Sequence, residues 1–561
     1  MAAERLAALF LAGCVWHARA LRTLGLEERQ ALSGVNGPDI VPDEELKYPD
    51  CAGVECVERY VKLEDNAYSW HRLNASFFGK NRENTSNWTA ILINMTSQKW
   101  MTEADTDHPI WWHFLAIITP SNLGELGTNT TDWATLLVGF LDPKAGVVDE
   151  NAVDLRAAGD MAMATGTQTA VLFRVPNSPV AFANDPVHAE KNEEEMKAWS
   201  WMSISDHPER PEYAIEVPMT KAIVKAMDTV QQAASGAIRR FVVTGFSKRG
   251  LATWLVGAID KRVKAIMAGS HMLAIRDHGP QAHMSYGHMP LAAEAYAKLP
   301  HRMDLHPDEP SGKSLYGIID PASNTAASDV YMSRLAGLQK LIMEPGNDDF
   351  AIVDNSKNWL HKIRGQKTYV IGPNLRHVMG YRWDNFLVPA IAFLQGVILK
   401  QTIPEISWSV DNVTGAIHVR QESDHVPVRV KLWTAETCPA MKRRDFRKVT
   451  ADNEDVCKAC GGKYHEEVKV CENRHAEWHS QDLAPEAGKN GTSGLVWRAA
   501  INAPPEGWRA GFIEMVYRGP RRQEPYIMTT QVSVMPKEYP FPECLGDDCK
   551  KESHVLVLVQ K

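Results

Sequence analysis

Ser247 is the residue of this chain best placed for chemistry. It sits in Gly245-Phe246-Ser247-Lys248-Arg249-Gly250. The preceding Phe241-Val242-Val243-Thr244 reads as a short buried strand, and Leu251 to Ala258 reads as a helix. A strand that turns sharply into a helix lifts a serine hydroxyl out of the sheet and aims helix N–H groups at it, the nucleophile elbow written G-x-S-x-G. Arg249 stands where the second glycine usually falls, and Gly250 follows one residue late. The plainer reading is a strand-to-helix loop with a serine N-cap.

A serine needs companions. It is a weak nucleophile until a histidine takes its proton, and a buried carboxylate fixes the tautomer of that histidine and steadies its charged form. In α/β-hydrolases the chain order is serine, acid, histidine. Leu341-Ile342-Met343-Glu344-Pro345-Gly346-Asn347-Asp348-Asp349-Phe350 offers a strand, a turn and an acid. Tyr369-Val370-Ile371-Gly372-Pro373-Asn374-Leu375-Arg376-His377 offers the next strand and a histidine. Among 20 histidines and 69 acidic residues either match alone is weak, and their joint order is the stronger signal.

The elements around them fit. Between Phe114 and Gln401 apolar strand runs alternate with helix patterns, which predicts a mostly parallel sheet with crossover helices. Expected strands include Phe114–Ile118, Thr135–Phe140, Thr169–Arg174, Val263–Met267, Gln339–Met343 and Thr368–Ile371. Expected helices include Met219–Ala234 and Trp383–Leu399. Tyr60-Val61-Lys62-Leu63 reads as strand-like. A cap-like segment runs over about 270–320, and its His271, His283 and His288 read as surface groups spaced too irregularly for a metal. Residues 405–561 alternate apolar and polar positions and read as an antiparallel β-sandwich.

The remaining signals concern location. Arg5 followed by the apolar run Leu6 to Trp16 and by Ala18-Arg19-Ala20 reads as a signal peptide over 1–20, too short to span a bilayer. Residues 21–57, with Pro38, Pro42 and Pro49, read as a leader arm. Cys51 with Cys56 and Cys544 with Cys549 look like local clips. Cys438, Cys457, Cys460 and Cys471 fall in one insertion over 438–471, where two disulfides are favoured over a zinc site that would add His465 or His475. N-x-[ST] sequons stand at Asn74, Asn84, Asn87, Asn94, Asn129, Asn412 and Asn490, the one at Asn94 inside a strand-like run. With 44% hydrophobic and 23% charged residues the composition is that of a globular protein. The net charge of −8 forms no basic stripe for nucleic acid, and no later stretch would insert in a membrane.

Several motifs together resemble the PhoPQ-activated pathogenicity-related proteins, over roughly residues 58–402 and more weakly beyond. They are Met95-Thr96-Ser97-Gln98-Lys99-Trp100, Trp111-Trp112-His113-Phe114-Leu115, Arg174-Val175-Pro176-Asn177, Pro218-Met219-Thr220-Lys221-Ala222, Ser285-Tyr286-Gly287, Asp320-Pro321 and above all Ser247-Lys248-Arg249-Gly250. The resemblance implies an α/β-hydrolase-like domain over 58–404. It makes Arg249 a family feature and places the acid at Asp348 rather than Asp349, since Asn347-Asp348-Asp349-Phe350 looks like the family's Gly-Asp-Glu-Phe. The glycine-rich loop common in relatives is reduced here to Val138-Gly139-Phe140-Leu141, so an oxyanion hole is expected from the backbone N–H groups of Phe140 and Lys248. Two functions follow as expectations. One is a secreted serine hydrolase of an ester or peptide bond, needing no cofactor or metal. The other uses the same scaffold to bind a cell-surface receptor, because the family includes a secreted proliferation repressor of slime moulds. Lys248 and Arg249 either bind a substrate carboxylate or form an internal ion pair that locks the elbow.

Overall fold

The computed structural model describes residues 51–543 apart from 81–83, 85–86, 128–129, 141–147, 289, 300–309, 324, 378–383, 487–494 and 522–523. The proposed signal peptide, Cys544, Cys549, Asn129 and Asn490 lie outside the described residues.

Nine strands form the main sheet: β1 (Ser69–Lys80), β2 (Asn87–Lys99), β3 (Ile110–Pro120), β4 (Trp133–Val138), β5 (Gln168–Leu172), β6 (Arg240–Phe246), β7 (Val263–Gly269), β8 (Gln339–Pro345) and β9 (Lys367–Gly372). Their order is β1-β2-β3-β5-β4-β6-β7-β8-β9. The first three are antiparallel, β3 meets β5 antiparallel, and every pairing from β5 to β9 is parallel. This is the mostly parallel sheet that the alternating pattern predicts.

Strand β6 illustrates why. It is buried on both faces, as a central parallel strand with covering helices must be, and its β-branched residues suit the pleat. Phe241 and Val243 join the core under α1 (Val54–Lys62), α4 (Glu216–Ala233) and α5 (Lys248–Ile259). Val242 and Phe246 face the other way, toward α2 (Val153–Thr165) and α6 (Asp384–Ile398). Fully burying each such apolar side chain contributes about 1.5–3 kcal/mol, before the entropy of ordering the chain is subtracted. Because the parallel strands all point the same way, the loops after β6, β8 and β9 meet on one edge of the sheet.

Some expectations change. Tyr60-Val61-Lys62 lies in α1, not a strand: Val54, Val57 and Tyr60 recur at helical spacing on the buried face, and that period outweighs the short β-branched run. The same helix begins inside the stretch read as a leader arm and is tied there by Cys51–Cys56. His271 and His283 are buried, at 4% and 5% exposure, and so is His278; the helices between β7 and β8 enclose what the sequence places at the surface. Trp111 and His113 are buried core residues.

Beyond residue 405 every described strand pairing is antiparallel. Strand β10 (Ile406–Val410) pairs with β11 (Ile417–Gln421), and β11 pairs with β17 (Val496–Ala499). Strands β12 (Arg429–Glu436), β16 (His479–Asp482), β18 (Arg509–Arg521), β19 (Glu524–Thr529) and β20 (Ser533–Met535) form a second sheet. Val419 and Trp497 of the first share one core with Leu432 and Met515 of the second and with Phe393 of α6. The insertion between β12 and β16 has its own small sheet, β13 (Val449–Thr450), β14 (Lys463–His465) and β15 (Val470–Glu472). Two disulfides, Cys438–Cys460 and Cys457–Cys471, staple it. With its cysteines paired to one another, the insertion has no thiolates to offer zinc.

Candidate active site

Ser247 follows the last residue of β6 and caps α5 with φ 56° and ψ −130°. A non-glycine residue with positive φ is strained, and such strain persists only where the surroundings over-determine it. Here they do. The Ser247 N–H donates to Gly269 O at 2.9 Å, and its carbonyl accepts from Gly250 N at 2.8 Å. A Cβ on Gly245 would lie 2.6 Å from Arg249 O, so that glycine is what lets strand and helix pass this closely. A Cβ on Gly250 would lie 3.0 Å from Gly269 O, so the late glycine serves the same close approach one residue along.

The three residues picked by order and strand context come together. The Ser247 hydroxyl lies 2.8 Å from His377 Nε2, and His377 Nδ1 lies 2.9 Å from Asp348 Oδ2. A carboxylate accepts, so Nδ1 carries the hydrogen and Nε2 is left to accept from the serine. Asp348 Oδ1 also accepts from the Phe350 and Ala351 N–H groups at 2.7 and 2.9 Å. Burial pushes the Asp348 carboxyl up, but His377 and these bonds outweigh it and hold it below the ordinary carboxylate value. Burial likewise opposes charge on His377, yet Asp348, then Asp349 and Glu194, raise its pKa above 6.5. The Phe350 ring packs 4.4 Å from the His377 ring, centroid to centroid.

Asp349 has a different task. Both its oxygens face Arg376 Nε at 3.2 Å, which ties the loop bearing the acid to the loop bearing the histidine.

Lys248 and Arg249 point into an ion-pair cluster. Lys248 Nζ reaches Glu194 and, at 3.2 Å, Glu193 Oε2, while Arg249 donates to Glu193 Oε1 at 2.6 Å. Their acceptors sit in the first turn of α3 (Glu193–Asp206), whose start is fixed by a capping box between Asn192 and Glu195. Partial burial pushes the Glu194 carboxyl up, but Lys248 and Lys197 prevail and hold it at about 2. The basic pair therefore locks the elbow. The Asn192-to-Glu195 spacing was the sequence signal that could have located these acidic partners.

The Phe140 amide does not stand where the sequence reading expects it. Strand β4 ends at Val138, and the Phe140 N–H donates to Asp154 Oδ2 of α2 at 2.9 Å. That amide is committed to a carboxylate rather than to an open oxyanion site. Lys248 N–H, in the first turn of α5, belongs to a helix end whose leading amides have no intrahelical acceptors.

The cysteine-stapled insertion also reaches the site, which sequence reasoning missed. Asn347 Nδ2 donates to Phe446 O and Ala476 O at 2.6 and 2.9 Å. Trp478 Nε1 donates to Gly346 O at 3.0 Å, and Trp478 exchanges two bonds of 2.9 Å with Asn374. The loops after β8 and β9 thus rest on one platform. Among the described residues no group of histidine, cysteine, aspartate or glutamate is arranged to hold a metal ion. No described helix is long and apolar enough to cross a membrane. Of the sequon asparagines, Asn74, Asn84, Asn87 and Asn412 are exposed, and Asn94 is half-buried in β2.

The sequence profile of the PhoPQ-activated pathogenicity-related proteins matches residues 57–447. Autocrine proliferation repressor protein A of Dictyostelium discoideum is 28% identical over 507 residues, covering 87% of this chain and 92% of that protein. Acetyl xylan esterase 1 from a Thermoanaerobacterium species aligns with 61% of this chain and 92% of its own, at 12% identity and a TM-score of 0.40. A glucuronoyl esterase from Solibacter usitatus aligns with 58% of this chain and 86% of its own, at 13% identity and a TM-score of 0.32.

Proposed function

The chain belongs to the PhoPQ-activated pathogenicity-related protein family, and from that premise we propose that it is a secreted serine hydrolase cleaving an ester or peptide bond. Ser247 is the nucleophile, His377 the general base and then acid, and Asp348 the residue that orients and steadies the histidine. The observation that carries this reading is the unbroken series Asp348–His377–Ser247, at 2.9 and 2.8 Å, on a strained elbow. Attack by Ser247 Oγ on the carbonyl carbon passes its proton to His377 Nε2. That proton goes on to the leaving alcohol or amine, and a water activated by the same nitrogen then frees the acyl group. The developing oxyanion is stabilised by N–H groups at the start of α5, that of Lys248 first. Secretion is supported by the N-terminal leader pattern, by three disulfides and by exposed sequons.

A second reading rests on one specific observation. The Dictyostelium relative named a proliferation repressor aligns over nearly its whole length. In that reading the scaffold binds a receptor and hydrolysis is secondary. A fluorophosphonate probe separates the two. The native chain should be labelled at Ser247 and the Ser247→Ala chain left unlabelled. Equal labelling of both would end the hydrolase reading. A growth-repressing activity that survives Ser247→Ala would favour receptor binding.

A further inference from the structure

Beside Asp348 lies a small cavity of about 20 Å³, lined by His271, Glu344, Asp348, Ser356, Trp359 and Tyr369 among others. A space of this size takes one water when polar groups face it. Three buried polar atoms of its lining lack a well-aligned hydrogen-bond partner, His271 Nδ1, Glu344 Oε1 and Ser356 Oγ, although the His271 ring faces the Gly269 carbonyl, the Glu344 carboxyl faces the His271 backbone N–H and the Ser356 hydroxyl faces that of Tyr369. Their residues are 4%, 9% and 3% exposed. His271 Nδ1 and Glu344 Oε1 approach to 3.2 Å without the alignment of a hydrogen bond.

The protonation of this group follows from its neighbours. Trp254 Nε1 donates to His271 Nε2 at 2.7 Å. An indole nitrogen only donates, so His271 Nε2 must be bare, the ring neutral and its hydrogen on Nδ1. Glu344 then meets the Asp348 carboxylate, the Tyr369 hydroxyl, a neutral histidine ring and the His271 backbone N–H, which favours the carboxylate but is outweighed, and no cation among them. Two carboxylates sharing one buried site do not both ionise. Burial first, and the Asp348 charge second, raise the Glu344 pKa well above the ordinary value. Burial first, with a lesser push from His377, brings His271 down to about 3 against the opposing Gly269 carbonyl and Asp348.

We propose that this cavity is a single-water site, that Glu344 lines it as an uncharged carboxylic acid, and that the two together are positioning elements for Asp348. The water accepts from His271 Nδ1–H and bridges Glu344 and Ser356, giving three buried polar groups a better-aligned partner than their protein neighbours supply. The neutral acid supplies a donor without adding a second negative charge beside Asp348. The role in positioning rests on the hydrolase reading; the water and the protonation state do not.

Three measurements on the full-length secreted chain test it, none needing turnover. Infrared difference spectra at neutral pH between the native and Glu344→Gln chains should contain the carbonyl stretch of a protonated carboxylic acid, lost in the variant. A crystal structure should place one water against His271, Glu344 and Ser356. The downfield proton resonance of His377 Nδ1–H should persist in Glu344→Gln, which keeps a neutral polar side chain, and should shift or broaden in Glu344→Leu, which cannot bond the water. Should Glu344→Leu fail to fold, Ser356→Ala removes one partner of the water in a milder way, with the same shift expected. Absence of the carbonyl band, or of the water, overturns the site. A resonance unmoved in Glu344→Leu and Ser356→Ala overturns the positioning role. Failure of fluorophosphonate labelling would instead strike the hydrolase reading and leave the first two measurements decisive for the cavity.

Discussion

Arg444 lays both ends of its guanidinium on Asp354, at 2.9 and 2.6 Å, and Asp354 lies in the loop that carries Asp348. Arg444 belongs to the cysteine-stapled insertion, so a side chain of the C-terminal β region grips the loop that presents the proposed triad acid. Both partners are buried. Burial opposes charge on Asp354, but Arg444 and Lys357 hold its carboxyl far below the ordinary range. Removing one partner of a buried pair leaves an uncompensated charge, which costs more than the pair contributes.

Arg444→Ala should therefore destabilise the protein by about 3 kcal/mol, the low end for a broken buried pair, because Lys357 stays on Asp354 at 2.8 Å. Urea unfolding checks the stability. Hydrolysis should fall as well, since the loop after β8 loses its grip. A variant with native stability and native turnover would remove the insertion from any part in the site.

Cys457→Ser with Cys471→Ser tests the same platform from its far side. The two cysteines are 14 residues apart, and a loop of that size stabilises by about 3 kcal/mol through the unfolded chain. The insertion holds Gly346, Asn347 and Asn374 by hydrogen bonds, so loosening it should lower kcat more than it raises KM. Loss of thermal stability with unchanged kcat below the melting range would mean that the staple serves stability alone.

How far the sequence could be read follows from what each feature depends on. Ser247, Asp348 and His377 were legible because each sits just past an apolar strand and chain order limits which strands can be neighbours. The choice of Asp348 over Asp349 was not a matter of spacing, since the two are adjacent; what separates them is that Arg376 takes Asp349. The Phe140 amide was misplaced because the partner that claims it, Asp154, comes from a helix whose packing on β4 no local pattern encodes. His271 and His283 looked like surface groups because a histidine carries no periodic signal; only the helices after β7 bury them. Arg444, Asn347 and Trp478 were invisible as site residues for the same reason: their partners are far away in the chain.

Gly245→Ala probes the elbow directly. The added methyl would meet Arg249 O at 2.6 Å and Arg249 C at 2.9 Å, both backbone atoms that cannot swing aside. Strand and helix must part, and Ser247 moves with them. Overpacking of this kind costs about 1–3 kcal/mol, and a displacement near 1 Å can cost on the order of 10²-fold in rate. Gly337→Ala is the control, because nothing lies within 4 Å of the new methyl. Equal activity in the two variants would show that the tight crossing does not position the serine.

The pH profile tests the assignment of His377 as base. A base accepts the serine proton only when neutral, and here Asp348, Asp349 and Glu194 together overcome burial and raise its pKa above 6.5. Hydrolysis should accordingly rise with pH through a limb lying above 6.5, the reverse of a group that must be protonated to act. Asp348→Asn removes the strongest of the charges that favour the imidazolium, so the limb should move to lower pH. Turnover should drop by on the order of 10⁴, because the amide no longer enforces the tautomer with Nε2 bare. Glu194→Gln should move the limb the same way by less, since its carboxylate is the weaker influence and makes no hydrogen bond to the ring. The order of the three limbs is the diagnostic result: native highest, Glu194→Gln between, Asp348→Asn lowest. A limb that stays put in Asp348→Asn would mean that the titrating base is some group other than His377, and Ser247 would then need another partner to accept its proton.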